Sequence, residues 1–488
     1  MASGVRQDHS SCEECSSHMD VKCACYSAAA KNIDLLRDLR LSREWHSLVY
    51  IHRSIPKRRS SRRFISTPFL LAIAVFLFAI LINSFANAQT SYTWQQIKDK
   101  FEAANPALKA DAIGVDEMKA EEITAYLRPN PQFALSTDGT QVSRYQGVWT
   151  PTKGTQVSPN LSYLHEREHK RELRLESAQE GTQIATSLHS DLERNLIFNL
   201  RSAFVQTLQA KAVVDLSKRE LDYYDRIIAI SRARFKAGDI GQIDLDRIEL
   251  QRVQYESDLQ MAEVSLRTAK IQLLQLLNDR MPIEQFDVSG PFDFADPLQP
   301  LESFRQIALD TRPDLRAALQ SLQQADTNHK LAIANGSTDP TFGGWYTYNP
   351  SFNNPDAHQT IGASVSIPLR IFDRNQGEKQ RTQLDIGRNQ QLEDATRAQV
   401  FSDVDSAYAL LNSNVLLLRP YKAQYLAQAV RVRETVTYAY QNGGASLMDF
   451  LNAQSDYRNV QITYLQLVGS YLTAAGQLNL AVGREVLQ

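Results

Sequence analysis

The stretch "RARFKAGDIGQIDLDRIE", Arg232 to Glu249, decides how the chain is read. On both sides the sequence runs as long helix, and Gly238 and Gly241 stop that pattern for only a few residues. Glycine tolerates the left-handed backbone that a tight reversal needs, so the stretch reads as the tip of a helix hairpin. It has a counterpart. "RFKAGDIGQIDL" (234–245) aligns with "AYQNGGASLMDF" (439–450), setting Phe235 against Tyr440, Gly238 against Gly443 and Asp244 against Asp449, an offset of 443 − 238 = 205.

Outward from the tips the correspondence continues. Asn105-Pro106-Ala107-Leu108 matches Arg312-Pro313-Asp314-Leu315, and Pro131 and Phe133 match Pro340 and Phe342. Ser202-Ala203-Phe204 matches Ser406-Ala407-Tyr408, and Gln272-Leu273 matches Gln477-Leu478. Offsets that stay between 204 and 209 mark an internal duplication. We place the first repeat at 89–300 and the second at 301–488. Each carries a helix, two strands and two long helices, and a linker follows in the first.

Within the first repeat, Thr93 to about Leu127 reads as one helix, closed by "RPNP" (128–131). From Lys170 to Ala237 there is no proline and Gly181 is the sole glycine, which gives a helix roughly 100 Å long. A second helix runs on to about Asn278, and a proline-bearing linker spans Pro282 to Pro300. Helices so far beyond the usual ~11–12 residues point to coiled-coil packing, although no strict heptad persists.

Strand periodicity is clearest in "TQVSPNLSYL" (155–164), where Val157, Leu161 and Tyr163 alternate with polar residues. "TIGASVSIPL" (360–369) sets Ile361, Ala363, Val365 and Ile367 against Gly362, Ser364 and Ser366. Trp345, Tyr346 and Tyr348 fall in the preceding strand, where an aromatic girdle of a membrane barrel could form. Two strands per repeat cannot remove their own edges, so closure of a barrel demands several chains.

The remaining composition is that of an ordinary globular protein, with 488 residues, 43% hydrophobic and a formal charge of −2, and no bias toward nucleic acid or disorder. "RSIPKRRSSRRF" (53–64) precedes the short apolar run "FLLAIAVFLFAILI" (69–82) and Ala86-Asn87-Ala88. A basic segment, an apolar run too short to span a bilayer and a small-residue cleavage site make 56–88 a secretory signal peptide. Cleavage after Ala88 leaves 488 − 88 = 400 residues. All four cysteines, Cys12, Cys15, Cys23 and Cys25, precede it. Their spacing is poor for zinc, so 1–55 is read as a disordered extension from an early start rather than a metal domain.

These features together resemble the TolC-type outer-membrane efflux proteins, in the branch serving heavy-metal resistance-nodulation-division pumps. The resemblance covers about Thr93 to Gly483 and is carried by "IPLRIFDRNQGE" (367–378), the opening stretch and "YAYQNGGASLMDFLNAQSDYRN" (438–459). It implies a mainly α chain with a β-barrel portion. Three copies would share a twelve-stranded outer-membrane barrel that continues into a long periplasmic α-helical barrel. It implies as partners a periplasmic adaptor (membrane fusion protein), an inner-membrane pump of that class and outer-membrane lipid. It implies a passive duct and no enzyme, with no cofactor and no metal. The adaptor-contacting tips would be Gly238, Asp239, Gly241, Gly443, Gly444 and Ser446. The aperture gate would be Asp449, one per chain, with Tyr440 bonding Asp244. A latching arginine of other members is Ala445 here and a second aspartate ring is Asn452, so a closed state would be held by fewer bonds or by other groups such as Arg247.

"HEREH" (165–169) matches the H-E-x-x-H zinc-protease pattern. Charged Arg167, Glu168, Lys170 and Arg171 surround it, unlike an apolar zincin helix, and it sits where the second repeat has its strand-to-helix corner. A metallopeptidase using His165, Glu166 and His169 is therefore the minor alternative. A soluble periplasmic coiled-coil scaffold is the other.

Overall fold

The computed structural model describes residues 90–296, 299–350 and 357–487. The extension read at 1–55 and the signal peptide read at 56–88 lie outside the described residues. The first half runs β1 (Thr90–Tyr92), α1 (Trp94–Ala104), α2 (Pro106–Tyr126), β2 (Gln132–Asp138), β3 (Gln156–Leu164), α3 (Lys170–Ala237) and α4 (Gln242–Leu276). A 3-10 turn (Ile283–Gln285) and β4 (Phe286–Val288) follow. The second half repeats the order with α5 (Leu301–Thr311), α6 (Pro313–Asn335), β5 (Thr341–Tyr348), β6 (Gln359–Ser366) and α7 (Gln376–Pro420). A π turn (Tyr421–Tyr425) then leads to α8 (Leu426–Gln441) and α9 (Leu447–Val482).

Three local features depart from the expectation. The single helix expected from Thr93 to Leu127 breaks at Asn105, whose ψ of 121° is extended because Pro106 crowds the α conformation of the residue before it. Asn105 turns the break into a cap, its Oδ1 accepting the N–H groups of Ala107 (2.9 Å) and Leu108 (3.1 Å). In the second half the long helix is interrupted at Pro420, which lacks an N–H and passes into the π turn. The linker, finally, is partly ordered as β4, which pairs in parallel with β1. Three-residue strands show no periodicity to read.

The principal sheet has the order β2-β3-β5-β6 and is antiparallel throughout, so the strands of the two halves join at β3–β5. Directly paired residues share a face. Phe133 opposite Leu161, Leu161 opposite Gly344, Tyr346 opposite Ile361 and Phe342 opposite Val365 build one apolar face. Ser136 opposite Ser158, Gly343 opposite Ser364 and Trp345 opposite Gly362 build a polar one. Trp345 therefore does not join Tyr346 and Tyr348. It lies across Gly362, where an added Cβ would meet the indole at 2.3 Å.

Each half has its own core at equivalent positions. Ile97, Phe101, Leu200 and Leu273 are fully buried in the first, and Phe304, Ala308, Val404 and Leu478 in the second. Burying each of the large side chains contributes about 2 kcal/mol. Phe286 and Val288 of β4 close the first core, and Lys211 (2.5 Å) and Lys270 (3.2 Å) hold the Asp287 carboxylate between them.

Candidate functional site: the hairpin tips

α3 ends at Gly238 with φ 87°, and the Asp239 N–H folds back to the Arg234 carbonyl at 2.9 Å. α8 ends on the same plan: Gly443 has φ 75° and the Gly444 N–H reaches the Ala439 carbonyl at 2.8 Å. Positive φ crowds a Cβ against its own backbone, which is why the helices stop here. Gly241 differs. With φ −79° it is an ordinary N-cap of α4, without a side chain to cap with. Its counterpart Ser446 caps α9 fully. The Asp449 N–H donates to Ser446 Oγ (3.1 Å), and Asp449 Oδ2 accepts from the Ser446 N–H (3.1 Å) and hydroxyl (2.7 Å).

Of the sequence-derived tip residues, Gly238, Asp239, Gly241, Gly443, Gly444 and Ser446 are all exposed. Asp449 and Asn452 are exposed on α9, and Asp244 is half-buried in the first turn of α4. The Ser446 hydroxyl and N–H hold the Asp449 carboxyl below its ordinary pKa. Tyr440 is buried and stacks on Phe450 (centroids 5.0 Å apart, 21° between planes). Among the described residues its hydroxyl makes no hydrogen bond to Asp244; burial, helped by the Asp244 charge, pushes the phenol above its ordinary pKa.

The residue that does engage Tyr440 is one the sequence did not single out. Arg234 donates to the Tyr440 carbonyl (3.1 Å) and lies 5.4 Å from its ring centroid. Arg247 is exposed and makes no ion pair among the described residues. Above the tips the two hairpins share one core of Tyr224, Ile227, Ile228, Ile248, Tyr255, Tyr440 and Phe450. Further polar contacts stitch them together. The Tyr223 and Thr437 hydroxyls meet at 3.1 Å, and Arg433 lies 3.4 Å from buried Glu220. Burial pushes the Glu220 carboxyl above its ordinary value against the pull of Arg433, and it pushes the Tyr255 phenol up to about 12. Glu220, Tyr224, Ile227, Ser231 and Arg234 recur every three to four residues, so charges within an apolar helical stripe were the available signal.

This shared core is also short of hydrogen bonds. The Tyr224 and Tyr440 hydroxyls, Gln454 Oε1 and Arg433 Nε are buried without partners. Most buried polar groups in native structures are satisfied, so these four make the arrangement costly.

The HEREH segment is no helix. α3 starts at Lys170, and His169 precedes it in a left-handed conformation (φ 55°). Arg174 holds the Glu166 carboxylate by two bonds (2.5 and 2.9 Å), leaving it unsuited to activating water. The segment is instead a fastened strand-to-helix corner, in which buried Lys170 pairs with Asp339 at 2.5 Å.

Comparison with known proteins agrees with this geometry. The family model described as "Outer membrane efflux protein" matches residues 99–279 and again 304–484, two segments starting 304 − 99 = 205 residues apart. The chain is 24% identical over 399 residues to the cobalt-zinc-cadmium resistance protein CzcC of Cupriavidus metallidurans, covering 78% of this chain and 87% of that protein. Among solved structures it is similar to CusC (TM-score 0.68, 17% identity, covering 80% of this chain and 92% of the other). It is also similar to the outer membrane protein VceC of Vibrio cholerae (TM-score 0.66, 16% identity, 80% and 96% covered).

Proposed function

Because the chain belongs to the outer membrane efflux protein family, we propose that it forms the outer-membrane duct of a tripartite efflux system, as a homotrimer. The observation that carries this reading is the sheet. It has one apolar and one polar face, and its outer strands β2 and β6 have no neighbouring strand among the described residues. Three copies joining β6 to β2 satisfy those edges and put the apolar face toward lipid. No described helix is long and apolar enough to cross a membrane. The helices then extend into the periplasm, and the exposed tips at Gly238 and Gly443 meet an adaptor that connects to an inner-membrane pump. Substrate is conducted, not transformed. Cell fractionation and gel mobility with and without heating test this: a trimer that resists detergent until heated, in the outer-membrane fraction, is expected. A monomer in the soluble periplasm would overturn it.

In this reading Asp449 lines the aperture. Three exposed carboxylates at a constriction attract cations, and capping of α9 by Asp449 is compatible with that role. Asp449→Ala in a planar bilayer should weaken block by polyvalent cations or raise conductance, and no change in either removes the aperture role. Divalent metal ions are the first cargo to test, because the relative CzcC is a cobalt-zinc-cadmium resistance protein. A deletion strain should become sensitive to zinc, cobalt or cadmium.

A further inference from the structure

A cavity of about 830 Å³ lies far along the helices from the tips, between α3 and α9, closed by the linker after β4, the start of α1 and the C-terminal residues. This is the size class of small-molecule sites. Its wall is largely apolar and aromatic, with Trp94, Ile197, Phe198, Phe294 and Leu472 among the contributors. Gly476 of α9 adds no side chain to it.

The charges on the wall are unevenly satisfied. Lys98 faces Glu485 (3.7 Å), Asp293 is taken by Lys422 (2.6 Å), and Arg194 binds Asp191 and the Leu480 carbonyl. Arg201 has no such partner. Among the described residues it makes neither hydrogen bond nor ion pair, and its guanidinium rests 4.6 Å from the Trp94 ring centroid. Burial pushes its pKa below the ordinary value, and the only opposing pull comes from Glu485, already facing Lys98. Nearby, Arg194 Nε is buried without an acceptor. Glu193, the one wall acid without an ion pair, is two helical turns from Arg201 along α3, roughly 12 Å.

We propose that this cavity binds a single-chain amphiphile with an anionic head group, the head accepting hydrogen bonds from Arg201 and the alkyl chain lying along Ile197, Phe198 and Leu472. A guanidinium is the preferred partner for a carboxylate or phosphate, and an uncompensated one in an apolar wall selects for that charge. The assignment does not need the protein to conduct, but its test rests on the membrane reading: failure to enter nanodiscs would overturn that reading, and entry without cavity labelling would overturn this one.

The test uses the full chain in nanodiscs of zwitterionic phospholipid, with a diazirine-bearing palmitate as probe and peptide mapping after illumination. Saturable labelling of 194–208 and 471–487 is expected. Unlabelled palmitate or lysophosphatidylglycerol should compete, their relative strength telling a carboxylate head from a phosphate one, and neutral hexadecanol should not. Arg201→Gln should cut labelling there about tenfold while labelling of the lipid-facing strands persists. Arg201→Lys should retain most of it, and Gly476→Leu should block it by filling the space. Heat-modifiable mobility shows whether each variant is assembled. Labelling confined to the strands, competition by hexadecanol equal to that by palmitate, or indifference to Arg201→Gln would each overturn the proposal. Absence of label because a second copy covers the cavity would do the same.

Discussion

Glu220 shows how one residue sets the behaviour of the tip bundle. Its raised folded pKa means the native state keeps a proton that the unfolded chain has lost, so the sign follows directly. Stability is unaffected below the ordinary carboxyl value of 4.5, falls as pH rises from there through the folded value, and then levels off. Glu220→Gln keeps the size and removes the titration. Amide exchange of residues 216–228, followed from about pH 4 to about pH 8, should show the wild type losing protection relative to the variant. Parallel profiles would mean that Arg433 keeps the carboxylate charged throughout. The sequence displayed Glu220 as one charge in a helical stripe. That Arg433, 213 positions away in the chain, faces it depends on how the two hairpins pack.

At the scale of the element, the two turns are duplicates that differ at one useful position. Gly241 stands where the second copy has Ser446, and Asp244 stands where it has Asp449. Gly241→Ser should complete a capping box on α4 and stabilise the first hairpin by about half a kcal/mol, read as added exchange protection in residues 242–248. Gly238→Ala should act in the opposite direction. A Cβ there meets nothing within 4 Å, so the cost is purely that of positive φ, about 1 kcal/mol. Equal effects of the two substitutions would contradict the assigned backbone roles. Both turns were legible in the sequence because glycine spacing is local. The break at Asn105 was missed by the single-helix reading of Thr93 to Leu127 although Pro106 signals it locally, whereas β1 and β4 left no local signal, because three-residue strands exist only through each other.

For the whole molecule the decisive surface is the apolar sheet face, where Ile361 is 87% exposed and Phe133 71% exposed in the single chain. In the proposed barrel this face meets lipid, which would make a charge there expensive, by about 2–4 kcal/mol near the bilayer midplane. Ile361→Arg should therefore lower the outer-membrane, heat-modifiable fraction. Ser364→Arg, on the polar face, should leave that fraction largely intact. Equal recovery of both variants would favour a soluble scaffold over a barrel.

The sequence alone determined the duplication, the hairpin tips, the long helices and the two-faced strands, because each rests on spacing along one chain. Tertiary structure alone decided that β3 joins β5 and that Trp345 lies across Gly362. It also decided that Arg234 rather than Arg247 lies against Tyr440, and that Arg201 is left without a carboxylate in an apolar wall. Periodicity tells which residues share a face. It does not tell which of two faces meets a partner some 200 residues away, since that is settled by the packing of all the helices together.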